Sequence, residues 1–131
     1  MAEVDRPLSP HLQIWRWGMN MALSIFHRAT GIASVVGAVV LVWWIAAIAL
    51  GPNYYDFFLS VMLTPLGRLV LFLITVAVSF HAMTGIRHLL MDSGFLLEKG
   101  SARTAGVVII LAAIALAVGI WLLAYAFAGL I

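Results

Sequence analysis

Three long apolar blocks constrain this chain more than any other feature of its sequence. They cover residues 30–50, 66–91 and 104–130, and each is near the roughly 20 residues that a helix needs to cross a bilayer. Helices satisfy their own backbone in lipid, and these blocks lack the alternation of β-barrel strands. The sequence predicts an all-α membrane protein, a single domain over residues 1–131, with three transmembrane helices. Their predicted bounds are about 22–50, 66–91 and 104–130.

Composition supports this class of protein and excludes several functions. Of the 131 residues, 65% are hydrophobic and only 9% are charged, far from the balance of a soluble domain. Cysteine is absent, which excludes disulfides and thiolate chemistry within the chain. The net charge of +2 does not indicate a nucleic-acid-binding surface. The sequence also lacks a phosphate-binding loop, a nucleophile elbow, a zinc-binding helix and a convincing pair of catalytic carboxylates.

The segments outside the apolar blocks are predicted to be lead-ins and loops. Residues 1–19 are polar and end in tryptophans beside an arginine, a mixture typical of the headgroup zone, and we expect no removable leader there. Gly51 begins a predicted loop up to Pro65 whose aromatics form an interfacial belt. A charged loop is predicted at residues 98–103. In the third helix, two glycines are candidate close-packing points: Gly106 and Gly119.

A polar stripe interrupts the second apolar block. His81, Thr84, Gly85, His88 and Asp92 fall at i, i+3, i+4, i+7 and i+11, so they share one helix face. An ionisable residue within a membrane segment indicates a functional site, although a histidine hydrogen-bonded inside a helix bundle is the alternative. Gly85 is expected to leave room beside His81 for a flat ligand, and a neutral imidazole suits haem iron.

A second polar face lies at the start of the first helix. Ser24, His27, Arg28 and Gly31 are spaced at i, i+3, i+4 and i+7. An arginine at a membrane boundary is most often an anchor whose side chain reaches the headgroups. Ser24 and His27 beside it favour a ligand pocket instead.

Charge asymmetry predicts the orientation of the chain. With three spans, six of the seven Lys and Arg residues lie on one side of the membrane and only Arg68 lies on the other. By the positive-inside rule, the N-terminus is cytoplasmic and the C-terminus is outside. The six residues on the cytoplasmic side are Arg6, Arg16, Arg28, Arg87, Lys99 and Arg103.

This orientation places His81 at depth in the membrane. His81 lies about 15 Å along the helix axis from Met91, well within the hydrocarbon. We expect His27 and His88 much nearer the cytoplasmic boundary, where they are poor candidates to ligate the other side of the same iron. The second axial ligand must then come from another chain, which predicts a hetero-oligomer.

Two spaced motifs resemble a known family. The first reads Arg6, Pro7, Leu8, Leu12, Met19, Ser24, His27, Arg28 and Thr30, and the second reads His81, Gly85, Ile86, Arg87, His88, Leu89, Met91, Asp92 and Gly94. In this order, over about residues 6–130, they resemble the cytochrome b556 membrane-anchor subunits of succinate dehydrogenase (respiratory complex II). The start of the chain is similar to the alphaproteobacterial and mitochondrial branch. Because no transit peptide precedes it, we expect a bacterial inner membrane.

The resemblance implies a role for each matching residue. It implies that His81 ligates haem b, with the opposite ligand supplied by a second membrane-anchor subunit. It implies that Ser24 and Arg28 line the ubiquinone site and that His27 lies near the haem propionates. Two further motif residues are assigned to the cytoplasmic rim: Arg87 and His88.

The resemblance also implies the division of labour among subunits. Succinate oxidation occurs on the flavoprotein and iron–sulfur subunits, since this chain has no flavin motif and no cysteine to ligate a cluster. The chain anchors these subunits to the lipid membrane and handles ubiquinone. Two alternatives stay open: the anchor of a quinol:fumarate reductase, and a structural anchor without a cofactor.

Overall fold

The computed structural model describes residues 17–130, which form four α-helices and the short segments that connect them. The helices are α1 (Met19–Leu50), α2 (Pro52–Met62), α3 (Pro65–Asp92) and α4 (Lys99–Phe127). Three of them, α1, α3 and α4, are long and apolar enough to cross a membrane, which confirms the predicted all-α fold. Most of the predicted lead-in, including Arg6 and Arg16, lies outside the described residues.

The connection after α1 is a helix, so the predicted loop is wrong. Gly51 adopts a φ of 107°, which residues with a side chain rarely do, and this lets the chain turn between α1 and α2. Pro52 follows at the first helical position, where its missing N–H has no helical partner. Phe58 and Met62 lie one turn apart on α2 and pack on Ala47 of α1. The aromatic segment therefore forms a helix because one of its faces packs against α1.

The connection between α3 and α4 is shorter than predicted. Gly94, at a φ of 88°, donates its N–H to the Met91 carbonyl at 3.0 Å, and the next N–H donates to the Leu90 carbonyl at 3.0 Å. This is the Schellman motif that commonly ends a helix. Since α4 begins at Lys99, all but the first residue of the predicted loop at residues 98–103 is helical, and that prediction is wrong.

Small residues bring the long helices together, and α3 packs against both α1 and α4. A Cβ on Gly106 would lie 2.9 Å from Leu23 Cδ1, so a larger residue there would force the Leu23 side chain to move and glycine favours the close approach of α4 to α1. The predicted packing role of Gly106 is confirmed. Gly119 has no atom within 4 Å of such a Cβ among the described residues, so it is not a packing point within this part of the chain.

Helices α1 and α3 run antiparallel, which gathers the polar residues at one end of the bundle. Asn20, near the start of α1, contacts Arg87 near the end of α3, while Gly37 contacts Ile74 further along both helices. We call the end where α1 begins, α3 ends and α4 begins the polar end. Helix α2 lies at the opposite end.

Candidate functional site

His27 of α1 and His81 of α3 place their imidazole rings face to face. The ring centroids are 4.0 Å apart and the ring planes differ by 6°. Nδ1 of His81 lies 3.0 Å from the backbone carbonyl oxygen of His27. Because a carbonyl only accepts hydrogen bonds, Nδ1 carries the proton and Nε2 keeps its lone pair. His81 is thus held as the tautomer whose Nε2 can bind a metal.

Thr84 holds the His27 ring from the other helix. Its side chain is almost completely buried, at 1% exposure. Its hydroxyl donates to the Phe80 carbonyl at 2.7 Å, so its oxygen accepts from His27 Nδ1, also at 2.7 Å. Thr84 belongs to the predicted polar stripe, but its spacing alone indicates no role. Its position between His81 and His88 on one helix face was the signal in the sequence that its hydroxyl could pair with a histidine.

Gly31, and not Gly85, makes room for His81. A Cβ on Gly31 would lie 3.1 Å from His81 Cε1, tighter than nearly all real contacts of a Cβ. A Cβ on Gly85 would instead lie 3.9 Å from His27 Cε1 and has no atom of His81 within 4 Å. Gly85 therefore does not touch the His81 ring, and the room that it is expected to leave for a flat ligand stays a prediction. The space for the His81 ring comes from Gly31 on the facing helix α1. The spacing of residues along α3 could not reveal this contact.

The expected separation in depth between His27 and His81 is also wrong. The His27 ring touches His81 on one side and lies 4.9 Å, centroid to centroid, from His88 on another. The lone pair of an imidazole nitrogen lies in the ring plane, and the planes of His27 and His81 are nearly parallel. Their lone pairs therefore do not converge on one atom. Within residues 17–130, no group of three or more His, Asp or Glu side chains is arranged to hold a metal ion.

Ser24 and Arg28 lie on α1 next to His27, at the polar end. Ser24 is half-buried and Arg28 is exposed. Neither side chain makes a hydrogen bond or ion pair with any other residue of the described range 17–130. Their donor groups are therefore free for a ligand or a partner, and their role as a quinone site stays a prediction.

Arg87 is buried between three helices at the polar end. Its side chain is 2% exposed, and its Nη2 donates to Asn20 Oδ1 at 2.8 Å and to the Ala102 carbonyl at 3.4 Å. Its Nε is buried without a partner among the described residues. The assignment of Arg87 to the cytoplasmic rim stays a prediction, and its partners, Asn20 on α1 and Ala102 on α4, place it inside the bundle at the polar end. Neither partner could be identified from the local sequence of α3.

Comparison with known proteins decides the family. The model of the succinate dehydrogenase/fumarate reductase transmembrane subunit family matches residues 3–125. This chain belongs to that family. The transmembrane subunit is 36% identical over 121 residues to the succinate dehydrogenase cytochrome b556 subunit of Paracoccus denitrificans, covering 90% of this chain and 93% of that protein.

Two further relatives span bacteria and mitochondria. The transmembrane subunit is 30% identical over 116 residues to the cytochrome b556 subunit of Rickettsia felis, covering 88% of this chain and 90% of the relative. It is 35% identical over 114 residues to the mitochondrial cytochrome b560 subunit of Mus musculus, covering 84% and 66% respectively. The resemblance inferred from the two motifs is confirmed, and the transmembrane subunit is a multi-pass membrane protein of succinate dehydrogenase type.

Proposed function

We propose that this transmembrane subunit is the haem b-binding membrane anchor of a succinate:ubiquinone oxidoreductase. In this role it holds the soluble catalytic subunits at the membrane and forms part of the ubiquinone-reduction site. The observation that carries the proposal is the His81 Nδ1–H bond to the His27 carbonyl, which leaves Nε2 as a metal ligand in a chain of this family.

His81 fits the chemistry of a haem ligand. Histidines that ligate metals commonly donate their other ring N–H to a backbone carbonyl, which fixes the tautomer and makes the ligand nitrogen more basic. Haem b, when bound, supplies one-electron transfer. We assign His27 to the vicinity of the propionates, because its ring lies directly against His81.

A second membrane-anchor subunit is proposed to complete the haem site. The His27 and His81 rings are stacked face to face, with centroids 4.0 Å apart, so their in-plane lone pairs lie in separate planes and cannot meet at one iron. If the haem takes a second histidine ligand, that residue would be supplied by the second anchor. The iron–sulfur and flavoprotein subunits complete the complex, since this chain has no cysteine for a cluster.

Ser24 and Arg28 are proposed to bind ubiquinone. The Ser24 hydroxyl and the Arg28 guanidinium are hydrogen-bond donors without a partner in the described part of the chain, and they lie one helical turn apart. Both would donate to a quinone carbonyl oxygen. Arg28 would also stabilise the negative charge that develops on this oxygen during reduction.

The polar end is proposed to face the cytoplasm of a bacterial cell, in the inner membrane. Six of the seven Lys and Arg residues support this orientation. A periplasmic reporter enzyme fused after Ile131 is expected to be active, and a cytoplasmic reporter fused there inactive. Activity of the cytoplasmic reporter would contradict both the orientation and the depth of His81.

A quinol:fumarate reductase anchor is the second candidate, because the matching family includes fumarate reductase subunits. The two functions share a fold and a site but differ in the quinone that they use. Activity with ubiquinone and with a low-potential quinone, measured in both directions on the purified complex, separates them. Faster fumarate reduction with the low-potential quinol would favour the second candidate.

Removal of this chain tests the anchoring function. In a deletion strain, we expect the succinate-oxidising subunits in the soluble fraction, where they still reduce a water-soluble acceptor. Succinate-dependent ubiquinone reduction by the membranes should be lost and should return with a plasmid-borne copy. If the catalytic subunits stay on the membrane and reduce ubiquinone without this chain, the proposal is wrong.

A further inference from the structure

The His81 ring rests against α1 on more than one side. Its Nδ1 donates to the His27 carbonyl at 3.0 Å, and one of its faces lies on the His27 ring. Its Cε1 occupies the space above Gly31, where a Cβ would be 3.1 Å from Cε1 and 3.5 Å from Nδ1. Any side chain at Gly31 would therefore press on the same edge of the imidazole that donates the hydrogen bond.

Thr84 fixes the His27 ring that covers this imidazole. Its oxygen accepts from His27 Nδ1 while its proton is used by the Phe80 carbonyl, and the group is sealed from solvent and lipid. His27 is half-buried, so removal of this hydroxyl leaves its Nδ1 without this acceptor, either unpaired or turned toward another group. The His27 ring would then no longer lie flat on His81.

We propose that Gly31 and Thr84 are positioning residues for the haem ligand: Gly31 admits His81 to the His27 carbonyl, and Thr84 locks the ring that fixes its plane. Neither residue has been assigned a role by the motifs or by the comparisons. The inference rests on the proposed ligation of haem by His81. According to this inference, α1 sets both the tautomer and the ring plane of His81. The acceptor is the backbone carbonyl oxygen of His27, which is present whatever side chain stands at that position.

The two residues are expected to affect different properties. The bond from Nδ1 to a carbonyl increases electron donation by Nε2, which stabilises ferric iron. Crowding at Gly31 stretches this bond, so the midpoint potential of the haem should rise. Loss of the Thr84 hydroxyl leaves the bond but frees the ring plane, so the low-spin electron paramagnetic resonance signal should shift or broaden.

The test uses variants in the complete, purified complex. Gly31→Ala places a methyl group against His81 although alanine favours a helix more than glycine does. We expect haem affinity about 10-fold to 100-fold lower, the range typical of residues that orient metal ligands, together with the raised midpoint potential. Gly119→Ala is the matched control, because a Cβ there meets nothing within 4 Å in the described chain.

Thr84→Val and Thr84→Ser form the second pair. Valine keeps the shape and removes the hydroxyl, whereas serine keeps the hydroxyl. We expect an altered low-spin signal in Thr84→Val and a wild-type signal in Thr84→Ser. This pair decides the inference even if Gly31→Ala fails to assemble.

His81→Ala, measured in parallel, separates the inference from the proposed function. A wild-type haem spectrum in His81→Ala would overturn the proposed ligation itself. If His81→Ala loses the spectrum but Thr84→Val keeps the wild-type signal, or Thr84→Ser is as altered as Thr84→Val, the positioning role of Thr84 is wrong. An assembled Gly31→Ala complex with unchanged potential and haem content would exclude the role of Gly31.

Discussion

Replacement of His81 with alanine is expected to abolish the low-spin b-type spectrum of the complex. The imidazole is held by the His27 carbonyl at 3.0 Å with Nε2 free to ligate, and alanine offers no donor atom in its place. The variant complex, purified in detergent, is compared with the wild type by absorbance before and after reduction. A haem that remains would be high-spin, or would carry a substitute ligand with a shifted band.

His88→Ala is the matched control for this prediction. His88 lies on the same helix two turns from His81, and its ring meets His27 edge-on at 4.9 Å. Its removal should leave the ligation in place and the band position unchanged. An unaltered spectrum in His81→Ala, or loss of the band in His88→Ala alone, would show that the wrong histidine has been assigned.

Substitutions at Ser24 and Arg28 are expected to reduce ubiquinone reductase activity. Removal of the Ser24 hydroxyl deletes one hydrogen bond to the quinone, about 1–3 kcal/mol if its partner is left buried and unpaired. This corresponds to roughly 5-fold to 150-fold lower activity. Arg28→Leu should be worse because it removes both donors and positive charge. Arg28→Lys should restore activity only in part, since an ammonium does not reproduce the planar donor fork.

Succinate oxidation by a water-soluble acceptor provides the internal control for these variants. This reaction takes electrons upstream of the membrane subunits, so its rate should stay at the wild-type level in all three. Haem content is measured on the same samples to verify assembly. Intact complexes of Ser24→Ala and Arg28→Leu with full ubiquinone reductase activity would assign these residues to the membrane boundary and place the pocket elsewhere.

The three long helices could be predicted because their length and apolarity are local properties of the sequence. Helix α2 could not, since it depends on Phe58 and Met62 finding Ala47 on another helix. From its sequence alone, a segment with aromatic residues next to a glycine and a proline is as compatible with an interfacial loop as with a helix. The same limit affected residues 98–103, whose charges indicated a loop although α4 begins at Lys99.

The chemistry of the site could be predicted better than its geometry. The two polar faces of α1 and α3 were evident from spacing, and the structure brings them together. Counting residues from the membrane boundary nevertheless separated His27 from His81, whereas their rings are 4.0 Å apart. Packing contacts such as the one at Gly31 set how far one helix is shifted along another and the angle at which they cross. Residue numbers along a single helix do not carry this information. Arg87 shows the same limit, because its partners lie on α1 and α4.

The reduced-minus-oxidised absorbance spectrum of the purified wild-type complex tests the central claim most directly. It asks whether this transmembrane subunit, in its native assembly, binds haem. The proposal predicts a low-spin b-type band, with one haem for each copy of this chain by parallel haem and protein quantification. A complete complex that reduces ubiquinone with succinate and yet shows no b-type band would contradict it.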